Sequence, residues 1–365
     1  MRIVYVLTSL GIGGAERQAL ELAARMARRG HAVRMLVLRP RLREEWPTDL
    51  EVFHLEMRRT PASMLAGLAR ARRFLRDFSP GLAHSHSFHA NMAARLLKLL
   101  VPAPVVVSTI HNVDEGGWRR MLAYRLTDGL SHRTTAVSEA AARRFVRLKA
   151  VPERKCIVVP NGIDLGEFAP DPERRGLVRA HMGAESDFIW LAAGRIAPAK
   201  DYPNLLHAFA RVRADRPDAR LWIAGEATGA ESAVRTLAAE LGLSESIRWL
   251  GLRRDVPCLL DGADAFVLSS AWEGMPLAVG EAMAMEKPVV ATDAGGVREL
   301  VGEAGIVVPS RDAEALAHAM LELMGQTSAA RQALGRAARL RIVSKFNMDA
   351  RADEWEKLYR ELAQG

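Results

Sequence analysis

The sequence predicts an α/β chain of two doubly wound parallel sheets, and three observations carry that reading. Short apolar, β-branched runs alternate with stretches of helical periodicity, as in strands joined by crossover helices. The alternation pauses at a turn-rich segment, Val159-Pro160-Asn161-Gly162-Ile163-Asp164 and then Phe168-Ala169-Pro170-Asp171-Pro172, before starting again. Finally, 365 residues exceed one ordinary core and suit two domains. The expected division is 1–163 and 164–365.

In the first half, Ile3–Leu7 reads as a buried strand and Ala15–Arg29 as a helix stopped by Gly30. Ala32–Leu38 and Glu51–Leu55 are strands, and Ala62–Asp77 is a helix. Strand-like Leu82–Ser85, helical Asn91–Leu100, the β-branched run Val105–Ile110 and strand Cys156–Val159 complete this half. In the second half, strands are expected at Ile189–Ala193, Arg220–Ala224, Ile247–Leu250, Ala265–Leu268 and Pro288–Ala291. Helices are expected near Asn204–Ala214, Ser232–Leu241 and Ala350–Ala363. Ligands of open parallel sheets bind beyond the carboxyl ends of the strands. With two such domains, the site is expected in the cleft between them.

The chain is 49% hydrophobic and 26% charged, a globular balance. Its net charge of +8 is unevenly spread. Residues 1–163 carry 27 Lys/Arg against 13 Asp/Glu, and residues 164–365 carry 24 against 30. The first half is thus suited to an anionic partner. No stacking-aromatic pattern or zinc-finger spacing accompanies the charge, so nucleic acid is not expected. Cys156 and Cys258 form neither a metal spacing nor a disulfide framework, which points to a reducing compartment. The apolar start, Met1–Thr8, runs into Gly11-Ile12-Gly13-Gly14 and an amphipathic pattern, reading as strand–loop–helix rather than a signal peptide. No apolar stretch approaches membrane-spanning length.

Several motifs fall at strand ends. Glu273 and Glu281 stand eight residues apart around Gly274-Met275-Pro276-Leu277. Pro276 fits the first turn of a helix, leaving the amides of Gly274, Met275 and Leu277 as donors at its positive end. Two solvated glutamates on a capped amphipathic helix are the alternative. Gly13 and Gly14, with Glu16 behind them, join the first strand to the first helix. A dinucleotide fingerprint fails because Glu16 replaces its third glycine and the second strand ends at Arg39, where an acidic residue would be needed. A plain tight turn also accounts for these glycines. His111 follows strand Val105–Ile110. His84, His86 and His89 form a cluster, with no local carboxylate or cysteine to complete a metal site. Arg195 and Lys200 lie on one loop edge after Ile189–Ala193, offering a planar fork and a point charge suited to a diphosphate. For this spacing alone, two surface cations would be the better reading. Gly225-Glu226, Gly251-Leu252-Arg253 and Gly295–Glu299 follow later strands.

Together these features resemble the retaining glycosyltransferases of family 4, whose GT-B fold is two Rossmann-like domains facing a cleft. The spacing of Glu273 and Glu281 is similar to that family's Glu-x7-Glu signature, and Gly194-Arg195 with Lys200 is similar to its Gly-Arg…Lys signature. The resemblance implies that Glu273 lies near the donor sugar, that Glu281 binds the ribose hydroxyls, and that Arg195 and Lys200 stabilise the departing diphosphate. It implies that the Gly13-Gly14 loop closes over the donor phosphates, that His111 sits beside the donor sugar, and that Glu16 and His86 line the acceptor side. The first domain would bind acceptor and the second a nucleotide-diphosphate sugar, with the base pocket at the three later glycine loops and the helix at about 350–363 returning to the first domain. No Asp-x-Asp motif occurs, so neither a metal nor another cofactor is expected.

Thr109–Asn112 with Gly116-Gly117 and Met121–Arg125 resembles bacterial lipopolysaccharide and exopolysaccharide members, implying a lipid-linked glycan acceptor. Ala66–Arg76 combines Leu68, Phe74 and Leu75 with Arg70, Arg72, Arg73 and Arg76, and Arg143, Arg144 and Arg147 follow on another helix. Basic amphipathic helices favour anionic membranes. The expected location is cytoplasmic, peripheral on the inner face of the cell membrane. A nucleotide-sugar epimerase of the same fold and a catalytically inactive nucleotide-sugar or anionic-lipid binding protein are the rival readings.

Overall fold

A computed structural model describes residues 1–99, 105–184, 186–227 and 229–364. The chain divides into two compact units, Met1–Gly162 with Met348–Gly365, and Ile163–Asn347.

The first unit is built on seven strands: β1 (Arg2–Leu7), β2 (Ala32–Val37), β3 (Glu51–His54), β4 (Leu82–His86), β5 (Val105–Ile110), β6 (Arg133–Ala136) and β7 (Cys156–Val158). They pair in parallel in the order β3-β2-β1-β4-β5-β6-β7. Helices α1 (Gly14–Arg28), α2 (Pro61–Phe78), α3 (Phe88–Leu97), α4 (Trp118–Thr127) and α5 (Glu139–Arg147) belong to this unit. Ile3, Tyr5 and Leu7 pack with one core cluster, and Val4 and Val6 with another. This is the two-sided burial expected of a parallel sheet. The register sets Tyr5 beside His84 and His86 beside Thr109, bringing polar residues into neighbouring central strands.

The second unit holds β8 (Phe188–Ala193), β9 (Ala219–Ala224), β10 (Ile247–Gly251), β11 (Ala265–Leu268), β12 (Val289–Thr292) and β13 (Ile306–Val308). These six strands are parallel in the order β10-β9-β8-β11-β12-β13. Helices α6 (Pro172–His181), α7 (Tyr202–Asp215), α8 (Glu231–Glu240), α9 (Val256–Gly262), α10 (Leu277–Ala284), α11 (Val297–Val301), α12 (Ala313–Gly325) and α13 (Ser328–Lys345) accompany them. Phe188, Trp190 and Ala192 of β8 pack with Leu205 and Phe209 of α7 and Leu316 and Met320 of α12.

The last helix, α14 (Met348–Gln364), belongs to the first unit. Met348, Ala352, Trp355 and Tyr359 enter the core containing Tyr5 and Met26. Along α1, Arg25 meets Asp349 at 2.6 Å, and Arg29 meets Asp353 at 2.6 Å and Glu356 at 3.0 Å.

The structure differs from the sequence expectations at several points. The helix expected over Asn91–Leu100 starts earlier, at Phe88, and Leu100 lies outside the described residues. Strands β6 and β13 emerge where none was expected. The apolar face of α2 is already used, because Phe74 and Leu75 are buried in the core. Arg70 is also committed, donating from Nε to the Leu55 carbonyl at 3.1 Å. Only Arg72, Arg73 and Arg76 of that group remain exposed, and the exposed apolar residues of α2 are Met64 and Leu65 near its start rather than the Phe74 and Leu75 its sequence suggested. No helix among the described residues is long and apolar enough to cross a membrane.

Candidate active site

In the second unit, the candidate residues gather at the carboxyl ends of β8 and β11, adjacent strands whose connections depart to opposite sides. Ligand crevices in doubly wound sheets form at such a switch point. Gly194 ends β8 with φ +155°, and its carbonyl accepts from Tyr202 Oη at 2.8 Å. A Cβ on Gly225 would fall 1.9 Å from the Gly194 carbonyl oxygen. Glycine at 225 is therefore what lets the ends of β8 and β9 approach closely. Arg195, the next residue, is exposed.

Lys200 closes this loop. Its carbonyl accepts from Ser269 Oγ at 2.8 Å, and the neighbouring Ala199 carbonyl accepts from the Ala271 amide at 2.8 Å. The loop after β8 is thereby tied to the loop after β11. Lys200 Nζ lies 2.6 Å from Glu273 Oε1, which also accepts from Ser270 Oγ at 2.7 Å. Glu273 is buried, and a buried carboxylate needs such partners to offset its lost hydration.

Helix α10 begins at Leu277, with extended Pro276 (φ −74°, ψ 114°) at its N-cap rather than in its first turn. Its amide-rich end therefore starts at Leu277, whereas Gly274 and Met275 belong to the preceding turn. The Gly274 carbonyl accepts from the Gly296 amide at 2.8 Å, and Met275 is buried. Glu281, on α10, is buried as well, so the alternative of two solvated glutamates does not hold.

In the first unit, Gly13 caps α1 without a side-chain bond, and a Cβ there would lie 2.5 Å from Glu16 Oε2. Glu16 therefore folds back over Gly13. His111 follows β5, and its Nε2 lies 2.8 Å from His86 Nδ1. Its backbone amide donates to Glu115 Oε1 at 3.1 Å. His86 is buried behind His111 and does not itself reach the surface. His84 bonds Tyr359 Oη at 2.5 Å and Thr109 Oγ1 at 2.6 Å, while Tyr359 reaches Tyr5 at 3.2 Å. His89 stands apart from this network, and no group of His, Cys, Asp and Glu among the described residues is arranged to hold a metal.

Burial lowers the pKa of His111 to about 4 and holds His84 and His86 well below the usual histidine range. All three are neutral at pH 7. Burial also raises Glu115 to about 7, against the opposing hydrogen bonds from Tyr124 and the His111 amide. Tyr124 Oη donates to Glu115 Oε2 at 2.6 Å and accepts from Asn91 Nδ2 at 2.8 Å. Arg95 reaches the Tyr124 carbonyl at 3.0 Å and Thr134 Oγ1 at 2.9 Å.

Sequence reasoning missed Glu115, Tyr124, Asn91, Ser270 and Tyr202. Ser270, Tyr202 and Glu115 were findable, each standing within four residues of a candidate. Asn91 and Tyr124 come into place only through folding.

A family model described as Glycosyltransferase Family 4 matches residues 12–167, and one described as Glycosyl transferases group 1 matches residues 187–326. The UDP-Gal:alpha-D-GlcNAc-diphosphoundecaprenol alpha-1,3-galactosyltransferase of Escherichia coli is 26% identical, over 76% of this chain and 74% of its own length. The D-inositol 3-phosphate glycosyltransferase of Kineococcus radiotolerans is 27% identical, over 96% of this chain and 91% of its own. Anabaena HepE, solved in complex with UDP and glucose, shares the fold at a TM-score of 0.86, with 20% identity over 99% of this chain and all of its own. With glycosyltransferase models matching both of its halves, the chain is a family-4-like glycosyltransferase, a sugar-transferring enzyme of the GT-B fold.

Proposed function

We propose that the protein is a retaining hexosyltransferase that moves a sugar from a nucleotide-diphosphate donor to a lipid-linked glycan in cell-surface polysaccharide synthesis. The observation that carries the reading is the 2.6 Å pair of Lys200 and Glu273, with Arg195 exposed on the same loop. A cation held by a carboxylate beside an arginine fork suits a diphosphate whose negative charge grows as the sugar departs. In this reading residues 164–365 bind the donor and residues 1–163 the acceptor, with the helix at about 350–363 belonging to the acceptor half. Glu273 acts beside the transferred sugar, Glu281 holds the ribose, and the Gly13-Gly14 loop, the turn at Gly274 and Met275 and the start of α10 at Leu277 meet the phosphates. His111 orients a sugar hydroxyl, and Glu16 contacts the acceptor. Support for a lipid-linked acceptor comes from the Escherichia coli relative, whose acceptor is named as a diphosphoundecaprenol glycan.

Helix α4 supports a membrane-facing role. Trp118, Leu122 and Leu126 recur every four residues on one face and are 70%, 43% and 76% exposed, with Arg119 and Arg125 exposed among them. Apolar residues flanked by arginines suit an anionic lipid surface. Helix α4 begins seven residues after His111, which would bring the lipid surface close to the reacting end. The enzyme would then work peripherally on the cytoplasmic face of the membrane.

The decisive experiment incubates the protein with UDP-, GDP- and ADP-sugars and follows release of the nucleoside diphosphate, with and without EDTA. Release from one donor that survives EDTA is expected. Arg195→Ala and Lys200→Ala should each lower it by roughly two to three orders of magnitude. Turnover abolished by EDTA and restored by Mg²⁺ or Mn²⁺ would remove the metal-independent part, and no release from any donor would remove the whole reading.

A further inference from the structure

The histidine pair in the first unit has a defined proton order. His86 Nδ1 and His111 Nε2 are 2.8 Å apart, and with both rings neutral one nitrogen donates and the other accepts. The other nitrogen of His86, Nε2, is fully buried with no hydrogen-bond partner among the described residues. The His86 ring itself packs beside the His84 ring, 4.1 Å away, and the Tyr5 ring, 6.0 Å away, centre to centre. A buried N–H without an acceptor is rarer and costlier than a lone pair without a donor. The proton of His86 therefore belongs on Nδ1, the atom facing His111. His111 must then accept at Nε2 and carry its own proton on Nδ1.

We infer that His86 is a positioning residue that fixes His111 in the Nδ1–H tautomer, so that His111 offers a ligand an N–H donor and not a basic nitrogen. This rests on the reading of His111 as a residue beside the transferred sugar. It deepens that reading by specifying the group recognised: an oxygen acceptor, such as a sugar hydroxyl oxygen, bound at Nδ1. It also excludes His111 as the base that deprotonates the acceptor, because its Nε2 lone pair is engaged by His86. The backbone of the same residue is held separately by Glu115, so ring and main chain are oriented from two directions. Such second contacts fix the tautomer and orientation of functional histidines in general.

The test is nitrogen NMR on the full chain with ¹⁵N-labelled histidine, at pH 7.5 and without substrate. It separates protonated from unprotonated ring nitrogens directly. His111 is expected to show protonated Nδ1 and unprotonated Nε2, and His86 the same pattern. In His86→Asn, whose side-chain amide can donate from the position of Nδ1, the His111 pattern should persist. In His86→Leu it should shift toward the Nε2–H form. A protonated Nε2 on His111 in the unaltered protein, or a His111 pattern indifferent to His86→Leu, would overturn the inference. These signals need no turnover, so they stand or fall separately from nucleoside diphosphate release, which tests the glycosyltransferase site itself.

Discussion

Removing the Glu281 carboxylate is expected to weaken donor binding by about tenfold to a hundredfold while sparing turnover. A ribose contact changes little along the reaction, and losing a charged hydrogen bond costs about 1.5–3 kcal/mol. Glu273→Gln is expected to do the reverse, lowering turnover more than affinity, since the proposed function has it act beside the reacting sugar. Donor titration calorimetry together with steady-state rates distinguishes the two, and equal loss of affinity at unchanged rate would show the roles reversed or shared. A second prediction at this scale concerns protons. His84, His86 and His111 are held neutral in the fold but gain protons readily once unfolded. Their contribution is full above about pH 6.5 and is lost as pH falls, for His111 through about 4. Glu115 acts in the opposite sense: its raised pKa contributes fully below about pH 4.5 and the contribution is lost as pH rises through about 7. From about pH 5 to 7 the two effects oppose each other, the histidines favouring the fold as pH rises and Glu115 disfavouring it. Urea unfolding of Glu115→Gln should therefore show stability rising more with pH over that range than in the unaltered chain, and identical slopes would clear Glu115 of the effect.

Among the elements, α4 makes the sharpest claim. Trp118→Ser with Leu126→Ser should reduce co-sedimentation with anionic vesicles, as should raising salt, since attraction at a charged surface is screened within about 10 Å at 0.1 M. Neutralising Arg72, Arg73 and Arg76 on α2 should matter less, because Phe74 and Leu75 beside them are buried in the core and the exposed Met64 and Leu65 lie near the other end of the helix. Equal losses from both helices would return the contact to general positive charge. The same helix shows where sequence reading stops. Strands such as Val105–Ile110 and Ala265–Leu268 were legible end to end because uninterrupted apolar runs mark strands buried on both faces. β6 was not, since its Arg-Thr-Thr-Ala sequence looks like a loop until Thr134 meets Arg95 and Thr135 meets Thr109 at 2.6 Å. Among the candidate residues, motifs picked out Glu273, Lys200 and Arg195 in the second unit and His111 in the first. Their partners were not legible: Tyr202, at the start of α7, turns back to the Gly194 carbonyl, and His86 reaches His111 from a neighbouring strand.

Across the whole molecule, the first unit depends on its last helix. Met348, Trp355 and Tyr359 are buried side chains whose removal forfeits about 5–9 kcal/mol at about 1.5–3 kcal/mol each, similar to the entire stability of a domain. A chain ending at Asn347 is therefore expected to keep a folded second unit and lose the first, seen by limited proteolysis as survival of residues 163–347 alone. Two intact units in that truncation would contradict the dependence. The same arrangement sets an order of events during synthesis. Domains ordinarily fold from the amino end as they leave the ribosome. Here residues 1–162 emerge first but must wait for 348–364, whereas 163–347 form an uninterrupted unit that needs nothing made later. The part of the enzyme translated first is thus the part completed last, and in the interval the faces of Tyr5 and Met26 that α14 will cover stand open to chaperones.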